Sequence, residues 1–241
     1  MKDPVTPLAA VLLCAAASFC PAPSFAAEPA PVVVELFTSQ GCNSCPPADA
    51  VLGELARRED VLPLSFHVTY WDRLGWPDSF GLEASTQRQE AYADSLGRRS
   101  LYTPQMVVGG RLDVVGSQRR RVLEAIELLQ RHPEPGPAIA IANGKLILPA
   151  GDDRACTLWL IGFDRAHDVA IERGENRGRR LRYHNVVRTI ERLGRWTGAA
   201  SAFELPLARH AAEGRGGLAI VVQRDEDRAI LTAARIDLAP R

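Results

Sequence analysis

The chain is poor in cysteine, lysine and methionine, and it has no excess charge of either sign. A formal net charge of zero leaves no global field to draw it to nucleic acid or anionic lipid. Nearly all of its 29 basic residues are arginine, scattered among acids instead of forming one stripe. Beyond the first thirty residues no apolar run is long enough to cross a bilayer of roughly 30 Å. Cysteine is too scarce for a disulfide framework: of the 5 in the chain, Cys14 and Cys20 fall in the leader described next, which leaves Cys42, Cys45 and Cys156.

Met1-Lys2, the apolar run Leu8 to Phe19 and the small residues Ser24 and Ala26 have the order of a signal peptide, with cleavage expected after Ala26. The expected divisions are a leader at 1–26, a first region at 27–133 and a β-rich C-terminal region at 134–241. The mature protein is expected to be periplasmic or secreted, with no membrane anchor after cleavage. In an oxidising compartment a close pair of cysteines plus one distant thiol fits a redox pair with a bystander.

Pro31 to Thr38 (PVVVELFT) is a valine-rich run that suits a strand covered on both faces. Ala48, Val51, Leu52, Leu55 and Ala56 recur at helical spacing. Leu62 to Trp71 alternates like a strand, and Thr86 with Gln89 forms a capping-box pattern opening a helix that runs to Gly97. Gly109-Gly110 between Met106-Val107-Val108 and Leu112-Asp113-Val114-Val115 marks a hairpin. Ser117 is expected to cap a last helix stopped by Pro133. This order, βαβαββα, is the thioredoxin arrangement, so the fold class expected is α/β. A stiff segment, residues 132–137 (HPEPGP), leads to strands expected at 138–141, 145–148, 157–163, 169–172, 181–187, 218–223 and 229–236.

The chemistry centres on Cys42-Asn43-Ser44-Cys45. Two cysteines three apart on a helix face lie roughly 5 to 6 Å apart, within disulfide reach. At a helix start, amides without an intrahelical acceptor favour a thiolate, which predicts Cys42 as nucleophile and Cys45 as resolving thiol. Cys45 then needs a base. Glu35, seven residues before Cys42, reads either as that proton shuttle or as a plain polar residue before the helix. Pro46 and Pro47 remove two amide donors, which reads either as a kinked, exposed first turn or as a proline-rich helix start.

Parallel first and second strands would end at one edge, where Tyr70, Trp71 and Asp72 follow. The antiparallel third strand would bring Tyr102, Thr103, Pro104 and Gln105 to the same edge. Pro104 is expected opposite the disulfide, cis or in an ordinary trans turn; the cis form would leave the Thr103 backbone free to pair with an extended substrate. Trp71, Trp76, Tyr102 and Gln105 are the expected substrate contacts, Trp76 being either part of an aromatic rim or core. His67 reads as a hydrogen-bonded core histidine.

The segments GCNSCPPAD, HVTYWDRLGWPDSF, TQRQEAY, YTPQMVVGG and RGENRGRRLRYHNVVR together resemble a secreted bacterial thioredoxin-like family catalogued only as a domain of unknown function. The resemblance spans Val32 to about Leu238. It implies the fold, with Cys42 and Cys45 as redox pair, Pro104 as cis-proline after Thr103, and Glu35 near the buried acid. Gly41 in place of tryptophan, Asn43-Ser44 in place of Gly-Pro and the lack of a lysine after Cys45 leave the direction of electron flow open.

Three functions compete. The first is an exported thiol:disulfide oxidoreductase acting on protein thiols or disulfides of the cell envelope, with an unidentified redox partner and no cofactor besides the Cys42–Cys45 disulfide. The second is a metal site built on the pair with His67, His184 or Cys156. The third is a binding protein whose disulfide never opens, the arginine-rich segment Arg173 to Arg180 being either a contact or a solvated hairpin.

Overall fold

The computed structural model describes residues 30–238; the expected leader at 1–26, with Cys14 and Cys20, lies outside them. The first seven elements are β1 (Val32–Thr38), α1 (Pro46–Leu55), β2 (Val61–His67), α2 (Glu83–Ser95), β3 (Gln105–Val108), β4 (Leu112–Val115) and α3 (Arg119–Arg131). This is the βαβαββα order, with one 3₁₀ turn at Asp72–Leu74. β1 runs parallel to β2, from Val32 opposite Val61 to Thr38 opposite His67, and antiparallel to β3. Because side chains alternate across a strand, β1 serves two cores. Val34 and Leu36 pack on α1 and α3, while Val33 and Phe37 face Tyr92 of α2.

Three local expectations change. The helix α1 begins at Pro46, with Cys45 as its N-cap and prolines in its first two positions. A missing N–H costs nothing there, so the prolines suit the start of the helix, and Cys42 lies in the turn before it. Thr86 and Gln89 do not form a cap: α2 starts at Glu83, and the Thr86 hydroxyl instead accepts the Thr69 amide at 3.1 Å. The N-cap of α3 is Gln118, and no side chain caps it. Gly109 and Gly110 have φ of 60° and 72°, the left-handed pair a tight hairpin requires.

The C-terminal region continues the first sheet. β7 (Cys156–Ala170) and β8 (Arg180–Trp196) form one long hairpin, and β8 joins β2 in parallel at Ser65 and Val186. The expected strand at 169–172 is the end of β7. β10 (Gly217–Arg224) and β11 (Ile230–Asp237) complete eight strands in the order β11-β10-β7-β8-β2-β1-β3-β4. The sheet curls around α2 until the Ile230 amide donates to the Gly109 carbonyl at 2.9 Å. Outside it packs a small sheet of β5 (Ala140–Ala142), β6 (Lys145–Leu148) and β9 (Ser201–Glu204), followed by a short helix, α4 (Leu207–Ala212). Neither β9 nor α4 is evident from sequence pattern. No helix among the described residues is long and apolar enough to cross a membrane.

Candidate functional site

Cys42 and Cys45 form a disulfide, with Cα atoms 5.5 Å apart, at the edge where β1 passes into α1. The turn between them is closed by the Cys45 amide donating to the Cys42 carbonyl at 3.3 Å. Asn43 and Ser44 are exposed, yet both cysteines are fully buried. Ser44 Oγ lies 3.4 Å from Cys42 Sγ.

The other edge residues gather as topology requires. The Thr103–Pro104 peptide is cis, and the Pro104 carbonyl accepts the Gly116 amide at 2.9 Å. Trp71 donates its indole N–H to Thr103 Oγ1 at 2.8 Å, and its Cβ lies against Gly41, where a side chain would crowd it. One residue thus links the segment before Cys42 to the segment before Pro104. Trp76 donates to Gln40 Oε1 at 2.9 Å. Tyr102 is half-buried and Gln105 buried: the tyrosine hydroxyl donates to Asp113 at 2.9 Å, and the Gln105 amide spans Asp113 at 2.7 Å and Gln89 at 2.9 Å. Their side chains brace the strand at this edge.

Glu35 sits on the other face of the sheet. It points with Val33 and Phe37 toward α2, where Arg88 donates to its two oxygens at 2.8 and 2.7 Å and Tyr92 donates at 3.3 Å. A carboxylate engaged by a buried guanidinium on the face opposite α1 is turned away from the helix that carries Cys45, which favours the plain structural reading of Glu35 over the proton shuttle.

The buried acid on the cysteine side is Asp49. It lies four residues after Cys45, a spacing that puts both on one helix face, and its amide donates to the Cys45 carbonyl at 3.1 Å. Thr38 donates to Asp49 Oδ1 at 2.9 Å, and Oδ2 has no protein partner among the described residues. Burial pushes the carboxyl up to about 7; His67 and the Thr38 bond pull against this, and Asp78 adds to it. The i, i+4 relation to Cys45 was legible in CPPAD, whereas the burial that makes it matter was not.

Beneath Asp49, His67 Nδ1 lies 2.7 Å from Asp78 Oδ2, both side chains being fully buried. Burial raises the Asp78 carboxyl, but the adjacent imidazole and the amides of Gln40 and Phe80 outweigh it and hold it below the usual range. The dyad anchors the turn, since the Gln40 amide donates to that same oxygen at 2.7 Å.

The segment Arg173 to Arg180 is the tip of the β7–β8 hairpin, and it folds onto the cysteines. Asn176, fully buried, donates from Nδ2 to the carbonyls of Gln40 and Cys42 at 2.9 and 2.8 Å. Glu175 accepts the Asn43 amide at 3.3 Å. Glycines at 174 and 178, with φ of 75° and 81°, mark a tight tip, but nothing in their spacing reveals where it docks.

The residues of the metal reading do not converge. His184 packs over Gly53, and Cys156 is buried in the core beneath the small sheet. Among the described residues no group of three or more His, Cys, Asp or Glu is placed to hold a metal ion.

A family model described as "Protein of unknown function (DUF1223)" matches residues 33–223. Protein AGR_C_4864 from Agrobacterium tumefaciens, known from its crystal structure, is similar at 32% identity and a TM-score of 0.73, over 87% of this chain and 95% of that one. The structure of HBP35 of Porphyromonas gingivalis shares the fold at 13% identity and a TM-score of 0.58, over 87% of this chain and 76% of that one. No curated protein matches the chain.

Proposed function

Because the chain belongs to the DUF1223 family, whose function is unknown, its relatives lend it no activity, and we propose from its geometry that it is an exported thioredoxin-like thiol:disulfide oxidoreductase. The observation that carries the reading is the Cys42–Cys45 disulfide before α1, joined through Trp71 to the cis Thr103–Pro104 peptide. In the reducing direction the Cys42 thiolate attacks a substrate disulfide, forming a mixed disulfide and releasing one substrate thiolate, which takes a proton from solvent. Asp49 accepts the proton of Cys45. The Cys45 thiolate attacks Cys42 Sγ, the Cys42–Cys45 disulfide forms, the second substrate sulfur leaves as a thiolate that is then protonated, and two electrons have passed from the dithiol to the substrate. The oxidising direction is the same sequence reversed. Protein thiols or disulfides of the cell envelope are the proposed partners, and a periplasmic or secreted location is part of the same reading.

Trapping tests it. Cys45→Ala should accumulate mixed disulfides with client proteins while Cys42→Ala does not, and equal silence from both variants would overturn the proposal. The complete burial of both sulfurs favours a second reading, a binding protein whose disulfide stays closed. A native disulfide that resists millimolar dithiothreitol would select that one.

A further inference from the structure

A thiol that attacks a substrate must be reachable, yet the nucleophile proposed here is sealed, and the seal is specific. Ile171 and Asn176 are the buried residues of the segment 171–180; Glu172 to Glu175 and Arg177 to Arg180 are exposed. Beyond its own turns, the tip is held over the cysteines by the two Asn176 bonds, the Glu175 bond to the Asn43 amide and the packing of Gly174 against Trp76. Arg179 donates to Asn176 Oδ1 at 2.9 Å and fixes the amide in the orientation that clamps both carbonyls.

Resting on the reading of Cys42 as the attacking thiol, we propose that the β7–β8 tip is a latch on that thiol, with Asn176 as its clamp and Glu175 as a positioning residue that tunes reactivity. Asn176 bonds the carbonyl of the nucleophile itself, so opening the site and breaking these bonds are one event. Glu175 acts electrostatically. Its carboxylate accepts the amide of the residue next to Cys42, which takes up a donor near the nucleophile and places a negative charge on the turn that carries it. Both effects oppose the thiolate and so stabilise the disulfide relative to the dithiol. The other charged or titratable groups facing the turn are Arg179 from the tip, Asp49 from α1, and the His67–Asp78 pair below Gln40.

The test compares the wild type with Asn176→Ala and Glu175→Gln, the latter at an exposed position where folding is not at stake. Iodoacetamide alkylation of Cys42 in the reduced proteins is followed by peptide mass mapping against pH, and the disulfide is equilibrated with glutathione. Asn176→Ala should alkylate about tenfold faster at every pH, the consequence of losing two buried hydrogen bonds from the closed state. Glu175→Gln should shift the alkylation midpoint to lower pH and raise the reduction potential, by about 30 mV for each tenfold change in the equilibrium. If all three proteins reduce and alkylate alike, the latch is overturned while the oxidoreductase reading stands. If the variants respond as expected but Cys45→Ala traps no client, the latch stands and the oxidoreductase reading falls. A disulfide that resists reductant in all three overturns both.

Discussion

Arg88 and Glu35 are locked together in the core between α2 and the curled sheet, two hydrogen bonds of 2.7 and 2.8 Å joining their side chains. Arg88 also lies over the rings of Phe66, Tyr92 and Trp159, at 5.7, 5.3 and 5.3 Å from their centroids. The pair is an internal brace, where the sequence left Glu35 open between a proton shuttle and a plain polar residue. Glu35→Gln leaves a buried guanidinium without its counter-charge and should cost about 3–5 kcal/mol in urea unfolding. The pH profile of Cys42 alkylation should not move. A shifted profile with unchanged stability would return Glu35 to the mechanism.

Asp49 should make the protein less stable as pH rises. Its carboxyl titrates near 3.8 when unfolded and is pushed up to about 7 by burial in the fold. Between those values the folded state holds a proton that the unfolded state has released, so stability falls with rising pH across that window, by about 1.4 kcal/mol per pH unit for one group, and levels off above 7. Asp49→Asn should remove this slope from urea midpoints measured between pH 4.5 and 8. An unchanged slope would mean that Asp49 is ionised in the fold.

The same substitution should slow resolution of a mixed disulfide. With asparagine at position 49 there is no carboxylate to take the Cys45 proton, and general-base assistance is worth about 10²-fold or more. Stopped-flow release of substrate from the Cys42 mixed disulfide should become slower and follow the Cys45 thiol titration alone. Release at the wild-type rate at pH 7 would remove Asp49 from the pathway.

Closure of the sheet depends on Gly110. Its φ is +72°, and a Cβ there would run into the backbone carbonyl of Arg228, which cannot yield as a flexible side chain can. Gly110→Ala should destabilise the fold by about 3 kcal/mol or more, through strain at positive φ combined with overpacking. Gly97→Ala is the control: its φ of +65° carries the conformational cost, but no atom lies near enough to clash. Equal losses in the two variants would show that the contact with Arg228 contributes nothing.

How far the sequence could be read depended on the range of the interaction. The β-branched run of β1, the Gly109-Gly110 turn and the apolar stripe of α1 are set by neighbours within a few residues, and these elements stand where local chemistry places them. Thr86 and Gln89 matched a capping pattern just as well, but distant partners took them: Thr69 holds Thr86, and Tyr102 and Gln105 hold Gln89. The β7–β8 hairpin showed its strands without showing what lies beside them, because pairing with β2 is a contact between residues more than a hundred positions apart.

Local sequence determined that a helix follows the cysteine pair, and that a hairpin tip forms around Gly174 and Gly178, since the apolar stripe from Ala48 to Leu55 and backbone geometry within one turn decide them. Tertiary structure alone decided which acid is buried on the cysteine side of the sheet and which segment bonds the turn that carries them. The face of β1 on which Glu35 emerges, the burial of Asp49 and the docking of Asn176 on Cys42 all follow from how the sheet curls and where the C-terminal strands join it. Burial and long-range hydrogen bonds are properties of the assembled chain, and they govern whether a carboxyl keeps its proton and whether a thiol can be reached.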